Sequence, residues 1–276
     1  MALQWCWCVV LFVTTVFSSS SANATPSPVA AEFPYLPPLL QLNNGSAITS
    51  ADTWENIRRG EIKDLLATYL LGSVPASRPK VLSATQLNAT RSPGPTGGTS
   101  KFYHIEFEHN IAFDIEVLFP PSHLSAQRSR TKAEAGTGAE GEDKFPVFLT
   151  QWNHREWALM GVNRGYVGVV YPGADTRDAA PLFQAAYPDN TMALIRARAL
   201  VASCTLDFLL NPPAGITGFD VFNADQICVT GHSRNGKQSL IFAAHDERVT
   251  AVVGSSPGAP ISSPYHFSSH NFYGEG

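Results

Sequence analysis

The sequence is short of cysteine, of charge and of long apolar runs, and each shortage excludes something. Only 4 of its 276 residues are cysteine, and two of those, Cys6 and Cys8, lie in an N-terminal apolar run. Cys204 and Cys228 remain, too few for a disulfide-built domain; both sit among apolar neighbours, as buried thiols do. Charged residues make up 15% of the chain, the net charge is −4, and no lysine or arginine run occurs. Nothing in that balance points to a nucleic-acid partner. No repeat at a fixed period is visible, which argues against solenoids and propellers. Neither a metal nor a cofactor is expected.

The one long apolar stretch, residues 5–17, is too short to cross a bilayer comfortably. Polar residues 18–21 follow it, then Ala22-Asn23-Ala24. An apolar core ending in a small-x-small triplet is the pattern of a secretory signal peptide, here residues 1–24, although only the amino terminus supplies positive charge. The protein is therefore expected outside the cell, with no stable membrane association. N-x-S/T sequons at Asn23, Asn44 and Asn88 fit that route; Asn44 and Asn88 would survive cleavage as glycosylation candidates.

What is present is enough apolar material, 44% of residues, for the core of one domain. Residues 25–50, rich in Pro, Ser and Ala, read as an exposed lead-in to a domain over 51–276. Asp52 and Glu55 form a capping-box pattern ahead of a helix whose apolar residues are Trp54, Ile57, Ile62, Leu65, Leu66 and Tyr69; it should stop near Gly72, with Pro75 beyond. Two runs, 102–108 and 111–119, separated by "HN", predict an antiparallel hairpin. Residues 121–144 are Ser-, Ala- and Gly-rich and charged, and read as a disordered insertion. Beyond them, short fully apolar runs at 146–149, 167–170, 227–229 and 249–253 alternate with helix-like stretches. The longest covers about 192–210, with Ile195, Ala199, Ala202, Leu206 and Leu209 on one stripe. Fully apolar strands separated by helices predict an α/β fold with a mostly parallel sheet covered on both faces.

One stretch carries chemistry: Gly231-His232-Ser233-Arg234-Asn235-Gly236-Lys237. It approaches the nucleophile elbow G-x-S-x-G, except that Asn235 holds the last glycine position and Gly236 comes one residue late. The apolar run 227–229 feeds it and a helix follows, so Ser233 lies past the carboxyl end of a predicted strand, where ligand sites gather in open α/β sheets. Arg234 and Lys237 fall in the first turn of that helix, where the macrodipole disfavours a cation by roughly 0.3–1 kcal/mol. Two cations placed there suggest that both face an anion or a developing oxyanion.

The segment resembles the G-x-S-R-x-G-K signature of the glucuronoyl esterase (4-O-methyl-glucuronoyl methylesterase) family of α/β-hydrolases, which cleave esters joining glucuronic acid on xylan to lignin alcohols. "HDERVTAVVGSS", "VNRGYVGVVYPGADTRD" and "WENIRRGEIKDLLATYLLG" extend the likeness over most of residues 52–276. The resemblance implies that Ser233 is the nucleophile. Arg234 would give its main-chain N–H and guanidinium to the oxyanion hole, and Lys237 would contact sugar hydroxyls. The substrate would be a carbohydrate ester of the glucuronoxylan kind. The chain departs from the family pattern in three ways. His232 stands where better-known members have a Cys. Residues 254–258, Gly-Ser-Ser-Pro-Gly, stand where many have a glutamate, closer to a less characterised branch. The third departure is the triad, which in this fold runs Ser, acid, His in chain order. After Ser233 the acids are Asp246, Glu247 and Glu275 and the histidines His245, His266 and His270, none placed to complete it. His232 should pack aside, and His154 and Asp175 read as loop or packing residues. The chain is thus expected to be an N-terminal fragment, its α/β-hydrolase domain incomplete at the C-terminus and its catalytic acid and base beyond Gly276.

A secreted serine esterase acting on glucuronate esters of cell-wall polysaccharide is the leading reading. An acetylxylan or other small-ester esterase is the alternative among enzymes. A catalytically dead hydrolase fold that binds polysaccharide is the alternative of another class. From the leader follows one expectation: N-terminal sequencing of secreted material should begin at Thr25, and intracellular protein still carrying Met1 would refute export.

Overall fold

The fully apolar runs of the second half become the parallel part of one sheet, the first three of them in its interior. The computed structural model describes residues 38–94, 97–121, 123–124 and 144–258. The signal-peptide segment, the start of the lead-in and nearly all of the 121–144 insertion lie outside the described residues. Of the lead-in, 38–50 is mostly exposed and closes a small turn through a bridge between Gln41 and Ala47.

Among the described residues seven strands form one sheet: β1 (Val81–Leu87), β2 (Thr99–Phe107), β3 (Ile111–Phe119), β4 (Phe145–Gln151), β5 (Val167–Tyr171), β6 (Phe222–His232) and β7 (Ala251–Ser255). They lie in the order β1-β2-β3-β5-β4-β6-β7. The first three strands and the β3–β5 junction are antiparallel; β5, β4, β6 and β7 run parallel. The predicted hairpin is β2–β3, in register from Thr99↔Phe119 to Phe107↔Ile111. His109 and Asn110 make its turn with left-handed φ of 63° and 57°, a conformation that Asn and His tolerate better than most residues. β1 was not anticipated, and the last strand begins two residues later than its apolar run suggests.

Helices cover both faces: α1 (residues 51–71), α2 (Arg155–Val162), α3 (Ala180–Ala186), α4 (Leu194–Leu210) and α5 (Arg234–His245). Successive strand residues point to opposite sides, and the two core clusters divide accordingly. Val117 and Val169 join the larger one with α3, α4 and α5; Leu118 and Val170 join the smaller one with Ala158, Leu159 and Val162 of α2. In α4, 12 of 17 residues are buried, so the core takes far more of that helix than the expected stripe. The mostly parallel α/β sheet read from the sequence is the fold observed.

α1 differs in its details. Its N-cap is Ser50, whose side chain accepts from the Thr53 amide at 3.1 Å; Asp52 instead lies inside the first turn and accepts from the Asn56 side chain. Two wide turns interrupt the helix, at Trp54–Arg58 and Ala67–Leu71. Such turns rotate the apolar stripe, leaving Ile57, Leu65 and Tyr69 exposed while Leu71 enters the core. Gly72 ends the helix as expected, at φ 71°; a Cβ there would lie 1.9 Å from the Thr191 carbonyl oxygen.

One charged contact lies deep in the structure. Glu116 of β3 is fully buried, and Arg155 at the start of α2 grips it with two hydrogen bonds of 2.7 and 2.6 Å. Arg155 also donates to the Ser92 carbonyl, and the Ser100 hydroxyl donates to Glu116, so the pair is saturated. Removing one member would leave a buried charge alone. Glu116→Ala is expected to cost about 3–5 kcal/mol in chemical denaturation. Glu116→Leu combined with Arg155→Met should cost much less, and a single variant costing under about 1 kcal/mol would contradict the account.

Candidate active site

β6 delivers its last residues to the carboxyl edge of the parallel strands, and α5 begins one residue later. That residue, Ser233, takes φ 55° and ψ −126°. Its amide donates to the Ser255 carbonyl on β7, and its own carbonyl accepts from the Lys237 amide. Ser233 occupies the N-cap position, yet its exposed hydroxyl makes no capping hydrogen bond. A serine there ordinarily satisfies a first-turn N–H, so this one is left to other uses.

The tight crossing explains the unusual spacing of the motif. A Cβ on Gly231 would lie 2.4 Å from the Asn235 carbonyl oxygen, and one on Gly236 2.8 Å from the Gly231 carbonyl oxygen. Glycine is therefore required at 231 and 236. Position 235 carries a side chain because that side chain is employed: fully buried Asn235 accepts from the Ala174 amide at 2.8 Å and donates to Asn153 Oδ1 at 2.9 Å. It thus fastens the elbow to the loops that follow β5 and β4.

Arg234 forms an ion pair with Asp175, which also accepts from Asn153 Nδ2 at 2.8 Å. The anion that Arg234 faces is accordingly a residue of this chain. Sequence reading had set Asp175 aside and had no role for Asn153 or Asn235. An acidic residue closely following a fully apolar strand was the available signal. Lys237 lies one helical turn from Ser233, on the same helix end.

Two imidazoles stand at the same edge. His232 turns toward β7, its Nδ1 3.2 Å from Ser255 Oγ. The His154 ring stacks on Trp157 at 4.8 Å and meets the His232 ring edge-on at 6.2 Å. Burial lowers the His154 pKa below the usual histidine value, which keeps the ring neutral near pH 7. Among the described residues no imidazole is hydrogen-bonded to the Ser233 hydroxyl. On the loops after β5 and β4, Arg177, with a left-handed φ of 57°, lies 4.2 Å over Trp152, which stacks on Phe102.

Asn44 and Asn88, the two sequons inside the described region, are both exposed. Cys204 and Cys228 are free thiols, the first buried and the second partly so. No helix among the described residues is long and apolar enough to cross a membrane.

No family model matches the chain. A 4-O-methyl-glucuronoyl methylesterase of Wolfiporia cocos is 25% identical over 248 residues, covering 87% of this chain and 53% of its own, so the chain spans about half the length of that relative. Among solved structures, a promiscuous CE15 esterase from the marine bacterial metagenome superposes with a TM-score of 0.55 at 22% identity, over 78% of this chain and 61% of its own. The glucuronoyl esterase from Solibacter usitatus does so at 0.56 and 18% identity, over 80% and 63%. The one from Sporotrichum thermophile, in complex with methyl 4-O-methyl-beta-D-glucopyranuronate, gives 0.52 at 18% identity, over 81% and 53%. The likeness read from the elbow segment thus extends over most of this chain: it resembles glucuronoyl esterases in sequence and shares the α/β-hydrolase architecture of the part of them that it covers.

Proposed function

We propose that the protein is a secreted serine-type carboxylic ester hydrolase acting on glucuronate esters of cell-wall polysaccharide. The observation that carries this reading is Ser233 itself, held at φ 55° between strand and helix with its hydroxyl exposed and spared from capping. That is the context a nucleophile elbow requires. The substrate class rests on the resemblance to glucuronoyl esterases, and export on the leader pattern.

In this mechanism Ser233 Oγ attacks the ester carbonyl carbon while its proton passes to a base. The carbonyl π electrons move to oxygen, and the tetrahedral oxyanion collapses with loss of the alcohol. Water then cleaves the glucuronoyl-serine ester and restores the hydroxyl. The Arg234 amide belongs to the first turn of α5, whose N–H groups lack intrahelical acceptors and carry the positive end of the macrodipole. It and the neighbouring guanidinium serve the oxyanion. A glucuronate ester is uncharged before reaction, so both gain most in the transition state and act on kcat. Lys237, one turn along, is assigned to the sugar hydroxyls and hence to KM.

These roles separate in steady-state kinetics on a benzyl glucuronate ester and an aryl acetate, with protein expressed from its full coding sequence. Ser233→Ala should abolish turnover of both. Arg234→Ala should lose roughly 10²–10³ in kcat with little change in KM, the usual cost of one oxyanion donor. Lys237→Ala should raise KM for the glucuronate ester and spare the acetate, which has no sugar to hold. Activity surviving Ser233→Ala would overturn the mechanism. Wild-type preference for the acetate, with Lys237→Ala silent on both, would move the assignment to a general acetyl esterase.

A further inference from the structure

A groove of about 630 Å³ runs beside α4, between that helix and the extended segment 74–81. Its helical wall is Arg196, Leu200, Ser203, Asp207 and Asn211. Spacings of three and four keep these on one face, and the fifteen steps from Arg196 to Asn211 at the helical rise span about 22 Å. Its charges are unevenly matched. At Asp207 they balance: Arg78 binds the carboxylate at 2.7 and 2.9 Å and Arg248 at 2.7 Å, while Arg248 also pairs with Asp246.

At Arg196 they do not. Its guanidinium is partly buried and has no acidic partner among the described residues; burial lowers its pKa. His245, at the end of α5, also lines the groove, and its Nδ1 donates to the Ile241 carbonyl at 2.9 Å. Burial pushes the His245 pKa down, and Arg196, Lys63 and Arg59 push it further. Of these, Arg59 is neutralised by Glu55 and Glu247. Among the described residues no carboxylate pairs with Arg196 or with the α1 residue Lys63, and both charges act on the one imidazole. A cation withdrawn from water without a counter-ion is destabilising, and an oxoanion seated there would offset the charges of Arg196 and Lys63 and favour the protonated form of His245.

We propose that Arg196 and His245, which line this groove, form an anion subsite with the charge of Lys63 acting on the same imidazole, taking the free carboxylate of an acidic oligosaccharide. The saccharide part rests on the function proposed above: a polymer whose uronates are only partly esterified presents free carboxylates along the same chain. The rest of the groove suits it, since Ser77 and Asn211 offer hydrogen bonds to hydroxyl groups. The subsite is separate from the elbow and holds the polymer without reacting with it.

Calorimetry at low salt tests this on the intact protein, with a xylo-oligosaccharide bearing one glucuronic acid and a neutral one of equal length. The acidic ligand should bind at least ten-fold more tightly, and the preference should shrink as salt screens it. Arg196→Gln, and Lys63→Gln as a second variant on another helix, should reduce the preference; Ser233→Ala should leave it intact. In NMR titrations, saturating glucuronate should raise the His245 pKa, because a nearby anion favours imidazolium. Equal affinity for the two oligosaccharides, or a preference unmoved by both variants, would overturn the proposal. A His245 response to inorganic sulfate but not to glucuronate would overturn the carboxylate assignment. Ester turnover without the binding preference would sink the subsite alone, and the preference without turnover would sink the esterase reading alone.

Discussion

The chain has one residue in which to leave β6 and enter α5, and the rest of the site follows from that constraint. Ser233 turns the backbone at φ 55°, a conformation costing of order 1–3 kcal/mol for a residue other than glycine. The turn is so tight that the Asn235 carbonyl occupies the space a Gly231 side chain would fill. A strained turn persists only where its surroundings over-determine it. Here the strand end is hydrogen-bonded to β7 through Ser255, and the helix start is anchored through buried Asn235 to Ala174 and Asn153. The irregular motif is a consequence: the backbone crossing needs glycine at 236, and the anchoring needs an amide side chain at 235.

The same geometry resolves the electrostatic oddity of Arg234. A cation in the first turn of a helix opposes the macrodipole, yet Asp175 is brought to it from the loop after β5 and offsets that cost. An oxyanion arriving at this corner meets an arginine already paired with a carboxylate, a weaker field than a bare cation would give. What pairing adds is position: Asp175 is itself held by Asn153, so the guanidinium has an address before substrate arrives. In the mechanism proposed, this places more of the transition-state work on the first-turn amide. The side chain contributes beside it as a donor already held in place.

How much of this was legible in the sequence depended on how local each signal was. The apolar cores of β4, β5 and β6 announced themselves because strands buried on both faces need no particular period to be seen; β7 showed the same apolar run although it is only partly covered. β1 is partly exposed along its length, with only three of its seven residues strongly apolar, so it lacked both the apolar run and a clean alternation. The start of α1 was misplaced because Asp52 and Ser50 both satisfy the preferences for a cap, and only the three-dimensional path chooses Ser50. Ser233, Arg234 and Lys237 were visible together because one helical turn contains them. Asp175, Asn153 and Asn235 reach one another across 22, 60 and 82 residues of sequence, and no periodicity records such contacts.

Why the site sits where it does follows from the winding of the sheet. β4 is followed by α2, which packs on the face lined by Leu118 and Val170; β6 is followed by α5, whose Ile241 and Phe242 enter the opposite face. β4 and β6 are parallel neighbours, so between their carboxyl ends the chain departs to opposite sides and leaves a crevice. Open α/β sheets bind ligands at such switch points. The loop after β4 brings Asn153 and His154 to one side of it, and the turn after β6 brings Ser233 to the other. Of the five non-glycine residues with left-handed φ among those described, His109 and Asn110 make the β2–β3 turn. The other three, Arg177, Ser233 and Ser256, each follow a parallel strand at this same edge. Strain in the hairpin serves the connection. At the carboxyl edge it gathers around a crevice that topology had already opened, where backbone held out of its ordinary wells sets side chains toward a ligand.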